Sequence, residues 1–305
     1  MNKSSIQAYI LVGFAILCWA SIEIVMKLIQ SNSSALLMNF FRFCIGCLFL
    51  FGVAITTHRI QYYPRYLRFY WKPLFFASSL GLALGMFLFA LGTTLTQASL
   101  AAAIISANPL IISTYMMVWQ GESRSKLKII GIILGFIGVL VIITQLNFTA
   151  LMNPDYILGN ILVFIGTILW SIDLIIGKLL LKNTSQYPDL PAMTSLDFNT
   201  LTFLGASIMM LPFVFLIPSE LESMLQMSPV SWGGLFYLGI LPTGIGYLAF
   251  FLGLRKIDAS QGINLFYLKP IFATIMAFLI LHEIPSLFLY IGIGIEFLAL
   301  FLVTR

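Results

Sequence analysis

The sequence predicts an all-α integral membrane protein with ten transmembrane helices arranged as two inverted five-helix repeats. Three observations point there. Of 305 residues, 60% are hydrophobic and 9% charged, against about 25% charged in an ordinary globular domain. Apolar runs of about 20 residues recur, the length that crosses roughly 30 Å of hydrocarbon. One stretch also occurs twice. Ala98-Ser99, Asn108-Pro109, Gly121-Glu122 and Gly131 return 161 residues later as Ala259-Ser260, Lys269-Pro270, His282-Glu283 and Gly292. The same offset joins Gly85 to Gly246 and Gly92 to Gly253. So long a period inside apolar sequence marks two half-proteins, not a solenoid. The runs do not alternate in polarity, as the strands of a barrel would.

Taken in order, the spans fall at about residues 8–29, 35–57, 73–93, 97–119, 126–145, 156–181, 197–217, 231–254, 258–281 and 286–304. The first run is longer than a signal-peptide core and reads as a retained helix. Connections are short and polar, apart from the basic 58–72 segment, the 182–196 segment with Pro188 and Pro191, and the 218–230 segment with Glu220 and Glu222. They leave no room for a soluble domain. The first repeat is expected over residues 1–150 and the second over 151–305. Cys18, Cys44 and Cys47 all lie in the first two spans. They read as small apolar filler, not a redox or zinc site.

Basic residues orient the spans. With a cytoplasmic N-terminus, the inward ends and loops hold Lys3, Arg59, Arg65, Arg68, Lys72, Arg124, Lys126, Lys128, Lys178, Lys182, Arg255, Lys256 and Arg305, thirteen of the 16 lysines and arginines. The outward ends hold Lys27 alone. This bias predicts both termini in the cytoplasm and a multi-pass protein of the inner membrane. It also accounts for the net charge of +5 without a nucleic-acid partner. Five spans per repeat is an odd number, so the second repeat enters the membrane upside down. Trp19 and Lys27 of span one are echoed by Trp170 and Lys178 of span six at the same spacing. Inverted repeats are a common architecture of secondary transporters.

These features resemble the drug/metabolite transporter superfamily, and within it the EamA-type permeases. The doubled stretch carries the resemblance, together with Leu17-Cys18-Trp19-Ala20-Ser21 and Arg42-Phe43. It covers essentially the whole chain. Two departures stand out: His282, where such permeases usually have glycine, and the charged Lys269 before the second proline. The resemblance implies transport of a small solute by alternating access, often export. It implies a central cavity between spans one to four and six to nine, with five and ten peripheral. It does not imply a substrate.

Charges inside spans are few: Glu23, Arg42, Asp173, Lys269 and Glu296. A charge at mid-membrane costs at least about 2.5–3.5 kcal/mol and usually faces a cavity or a partner. Glu23 and Arg42 sit at similar depth on neighbouring spans. They suit a structural ion pair, or a site in which Arg42 offers its planar donor fork to a carboxylate or phosphate. Asp173, at the inverted position, has no arginine mate and is a candidate proton-coupling group. Trp19 lies one turn from Glu23, and Trp170 one turn from Asp173; an aromatic beside an acid suits a cationic or amphipathic solute. Asn108 and Lys269 each precede a helix-breaking proline at mid-membrane, where freed carbonyls can line a cavity. Lys269 is expected to contact substrate or to pair with Asp173 or Glu296. Ser260, Asn264, Tyr267 and Ile271 form one stripe of span nine that Lys269 does not share, and Tyr247 of span eight is a candidate cavity hydroxyl. Glu296, on a peripheral span, suggests a subunit contact, in a protein expected to be a monomer or weak homodimer. Glu122 and Glu283 are expected to cap loop amides or to pair basic loop residues.

A secondary transporter best accounts for the repeat and the buried charges. Cations Arg42 and Lys269 favour an acidic solute, and Glu23, Asp173 and the tryptophans an amino-bearing or aromatic one. An amino acid or similar zwitterion or organic anion satisfies both, with export the expected direction. A phosphorylated-metabolite or nucleotide-type exchanger is the alternative within this class. An integral-membrane enzyme is the alternative outside it. The only histidines, His58 and His282, fall in loops, and no metal-ligand cluster or G-x-S-x-G elbow occurs. No catalytic residue, cofactor or metal is therefore expected.

Overall fold

The computed structural model describes residues 3–121, 125–146, 154–182, 190–254 and 268–303. Eight described helices are long and apolar enough to cross a membrane: Ile6–Ile29, Ala35–Thr56, Ile60–Leu95, Ala98–Trp119, Lys126–Thr144, Tyr156–Leu181, Ser195–Leu216 and Pro229–Phe250. The shorter apolar helices Lys269–Leu281 and Leu287–Ala299 stand where spans nine and ten are expected. The chain is a multi-pass membrane protein. Two expected loops are partly helical. The 58–72 segment continues span three outward from Ile60, with a kink at Tyr70. Its Tyr63 and Tyr66 are buried, so this stretch has an inward aromatic face despite its basic residues. A short helix, Pro218–Leu225, follows span seven.

The spans pack in a pattern that survives exchange of one repeat for the other. Span one lies against eight, and six against three. Two lies against eight, and seven against three. Two also meets seven, four meets nine, and five meets ten. Both repeats carry a π-helical stretch at equivalent positions, Ala77–Gly85 in span three and Gly239–Gly246 in span eight. Such stretches redirect backbone carbonyls, and polar side chains meet them. Asn39 donates to the Leu82 carbonyl at 3.3 Å. Trp19 Nε1 donates to the Pro242 carbonyl at 2.9 Å. Close helix approach explains the glycines here: a Cβ on Gly92 would stand 2.6 Å from the Gly159 carbonyl.

The proline break of span four appears where expected, and a helix starts at the equivalent proline of span nine. Span four divides into Ala98–Ile105 and Asn108–Trp119. Lys269–Leu281 begins at the equivalent Lys269-Pro270. Proline lacks an N–H and suits the first turn of a helix. Each copy then ends in a left-handed residue, Gly121 at φ 69° and His282 at φ 55°. Glycine takes this conformation freely, whereas a residue with a Cβ is disfavoured by roughly 1–2 kcal/mol. His282→Gly is therefore expected to stabilise the protein by about 1 kcal/mol, read as a higher melting temperature in detergent.

Carboxylates and one arginine tie the repeats together at both faces. The left-handed turn at His282 presents Glu283 to the start of span four. Its carboxylate accepts from the Ala98 amide at 2.9 Å, the Ser99 amide at 3.2 Å and the Ser99 hydroxyl at 3.1 Å, a favourable place for an anion. Glu283 is thus a cap, as expected, but of the first helix amides of span four and not of loop amides. On the same face Lys27 Nζ donates to the Thr94 carbonyl at 3.3 Å, and Ser34, the N-cap of span two, donates to Glu220. On the opposite face Thr194 and Asp197 form the capping box of span seven. Arg59 reaches them from beyond span two, with Nε 3.1 Å and Nη2 2.5 Å from the Asp197 carboxylate and Nη2 3.0 Å from the Ala192 carbonyl. The hydrogen bond to Asp197 raises the Arg59 pKa further above its ordinary value. Glu122 and Arg124 lie outside the described residues.

Spans five and ten pack chiefly on each other, with smaller contacts to spans four and six. A Cβ on Gly138 would stand 3.1 Å from Glu296 Cγ and from the Gly292 carbonyl. Glu296 is buried in this interface, so the expected subunit contact is corrected: its side chain is enclosed within its own chain.

Candidate functional site

Seven of the eight central spans converge on one small buried cavity. Spans one and two supply Trp19, Ile22 and Arg42; spans three and four, Met86, Phe89 and Ile105; spans six, eight and nine, Trp170, Tyr247 and Lys269. Its volume is about 10 Å³, close to the least that holds one water molecule. Span seven stands behind it, with Phe203 edge-on to Tyr247 at 5.2 Å between centroids. Trp19 packs on Tyr247 and Phe250, at 5.1 and 4.7 Å, so one indole joins the aromatic wall to the Pro242 carbonyl.

The pairing of charges differs from expectation. Glu23 meets Lys269, not Arg42: Lys269 Nζ lies 2.5 Å from Glu23 Oε1, and both side chains are at most 2% exposed. Neither Asp173 nor Glu296 is the partner of Lys269. The reason is the packing of the proline-initiated helix of span nine beside span one, which brings residues 246 apart in sequence together. The ammonium also lies 5.8 Å from the Phe89 ring centroid, a cation–π distance. Arg42 is left without a carboxylate in hydrogen-bond reach among the described residues. It is 1% exposed, and its Nε and Nη1 have no hydrogen-bond partner among the described residues. Its guanidinium lies 4.8 Å from the Phe43 ring centroid.

Two other expected residues stand beside the cavity without lining it. Asn108 Nδ2 donates to Ser171 Oγ at 2.9 Å, tying the break in span four to span six. Asp173 is buried, and neither carboxyl oxygen has a hydrogen-bond partner among the described residues. It packs on span three, where a Cβ on Gly81 would stand 2.7 Å from Asp173 Cβ. Ser260, Asn264 and Tyr267 lie outside the described residues. The cavity thus brings together Trp19, Arg42, Trp170, Tyr247 and Lys269, with Glu23 bonded to its edge. Ile22, Met86, Phe89 and Ile105 were not expected there. Apolar residues in apolar spans carry no mark in sequence that separates a cavity wall from a lipid face.

The model of the EamA-like transporter family matches residues 6–144 and again 157–305. An uncharacterized transporter of Bacillus subtilis, YvbV, is 25% identical over 285 residues, 93% of this chain and 87% of that protein. An uncharacterized transporter of Archaeoglobus fulgidus is 28% identical over 216 residues, 70% of this chain and 68% of that protein. The WAT1-related protein At3g30340 of Arabidopsis thaliana is 24% identical over 282 residues, covering 84% of this chain and 75% of its own. A crystal structure superposes over 99% of this chain and 98% of its own with a TM-score of 0.67 at 17% identity, which shows the fold alone. The doubled helical architecture, the small buried central cavity and the family match agree: this chain belongs to the EamA-like transporter family and is a membrane transporter.

Proposed function

We propose that this transporter carries a small carboxylate-bearing solute, an amino acid or similar zwitterion or organic anion, across the cytoplasmic membrane by alternating access. One observation supports this reading above all: Arg42 lines a small buried central cavity with two guanidinium nitrogens unpartnered among the described residues. A buried donor left unsatisfied is costly, and a carboxylate is its natural acceptor, bound through a pair of charge-assisted hydrogen bonds. The cavity is too small for such a solute, so loading requires the repeats to separate. The cross-repeat caps at Glu283 and Arg59 are then the ties that yield in turn. The distribution of basic residues supports a cytoplasmic Arg59 face and an outer Glu283 face, and export is the direction proposed.

Counterflow in proteoliposomes tests the transport reading. Wild-type protein should exchange carboxylate-bearing solutes, and Arg42→Gln should not. Flux confined to cationic or neutral solutes, or turnover of a lipid or peptide without flux, would overturn it. Spin-label distances test the ties, in protein with Cys18, Cys44 and Cys47 replaced. Arg59→Gln should lengthen the Gln61–Ala192 distance and leave Asn32–Ile284 unchanged, and Glu283→Gln should do the reverse. If neither distance moves, the caps are not gates.

A further inference from the structure

We infer that, among the solutes this reading admits, the cavity selects a monoanionic organic acid with an apolar or aromatic body over zwitterions, dianions and cations. This selectivity presupposes the transport reading above and narrows it. Its basis is the charge that the site leaves uncompensated. Five charged residues lie within the spans away from their ends. Glu296 is enclosed between spans five and ten, and Asp173 packs on Gly81 without lining the cavity. Residues 259–267, which precede Lys269, contain no charged side chain. Three groups remain: Arg42 and Lys269, which line the cavity, and Glu23, which does not line it but is bonded to Lys269 at its edge. Lys269 already has its counter-charge in Glu23, at 2.5 Å. Arg42 has none within hydrogen-bond reach among the described residues, so these three groups sum to one cation in excess.

In a site this buried, an unmatched charge is expensive whatever its sign. One carboxylate on Arg42 closes the balance. A second carboxylate on the same solute would be in excess and would repel Glu23. A cation would add to the existing surplus. The ammonium of a zwitterion would have to share Glu23, whose Oε2 is unpartnered among the described residues, with the ammonium of Lys269 beside it. Two like charges on one buried carboxylate oppose each other. The rest of the lining, Trp19, Trp170, Phe89 and Met86, offers apolar surface and ring faces to a nonpolar body.

The test holds the body constant and varies the charge. Purified full-length protein is titrated at pH 7 with 3-phenylpropionate, phenylalanine, phenylsuccinate and 2-phenylethylamine, and binding is read by calorimetry. The monoanion is expected to bind at least about tenfold tighter than each of the others, one charge mismatch being worth upward of 1.4 kcal/mol. Glu23→Gln removes the counter-charge of Lys269. It should shift the ratio of phenylsuccinate to 3-phenylpropionate affinity at least about tenfold toward the dianion, which a merely structural role for Glu23 would not do. The wild-type series stands without any variant that must fold. If phenylalanine binds tighter than 3-phenylpropionate, the inference falls and the carboxylate reading survives. If 2-phenylethylamine alone binds, both fall. If none of the four binds wild-type protein, the aryl-lined monoanion site is overturned.

Discussion

Lys269→Met is expected to lower the unfolding free energy by about 3–5 kcal/mol, the usual penalty for removing one partner of a buried ion pair. Glu23 is fully buried, and one of its oxygens already lacks a partner among the described residues. Without the ammonium, both oxygens would face apolar surroundings. Arg42 is near enough to act on Glu23 electrostatically but makes no hydrogen bond to it among the described residues. The pair also joins span one of the first repeat to span nine of the second, so its loss loosens the seam between repeats. The double variant Glu23→Gln, Lys269→Met should recover most of the loss, because an ion pair replaced by neutral groups of similar volume is often neutral in stability. Denaturant unfolding in mild detergent measures both. Equal stability of Lys269→Met and wild type would mean that the pair does not hold the seam.

Arg42→Gln is expected to act in the opposite sense on stability and to abolish function. Hydrogen bonds to a charged group contribute about 1.5–3 kcal/mol, so solute affinity should fall by roughly 10–150-fold. Stability should hold or rise, because the substitution removes a buried charge that has no counter-ion in hydrogen-bond reach among the described residues. Arg42→Lys should restore little, since a point ammonium cannot reproduce the planar fork. Equilibrium dialysis of a labelled carboxylate solute, run beside unfolding of the same samples, separates the two effects. A large loss of stability with affinity retained would make Arg42 a structural residue.

Much of the framework was legible in the chain. Pro109 interrupts a helix and Pro270 stands in the first turn of one for a local reason, the missing N–H and the ring clash one turn back. Glu283 was readable as a cap because an acid after a helix-ending turn can meet the start of a neighbouring helix. The helical continuation from Ile60 was obscured by Arg65, Arg68 and Lys72, whose charges suggest a loop while Tyr63 and Tyr66 quietly form a buried face. Glu23 and Arg42 looked like partners because adjacent antiparallel spans at equal depth bring such residues close. Spans one and two, however, make little direct contact: span eight packs against both, and it is span nine that reaches Glu23.

Composition, run length and the 161-residue offset by themselves determined that this is a polytopic helical protein of two like halves, and which five charged residues lie within the spans. These are local or periodic properties, and bilayer thickness and backbone chemistry read them directly. The tertiary structure alone decided which charges meet, which is left over, and which apolar residues wall the cavity. Those outcomes depend on helix rotation and on contacts between residues more than two hundred positions apart, such as Glu23 with Lys269 and Trp19 with Pro242. No spacing within a single span encodes them, because they arise only when the two halves close on each other.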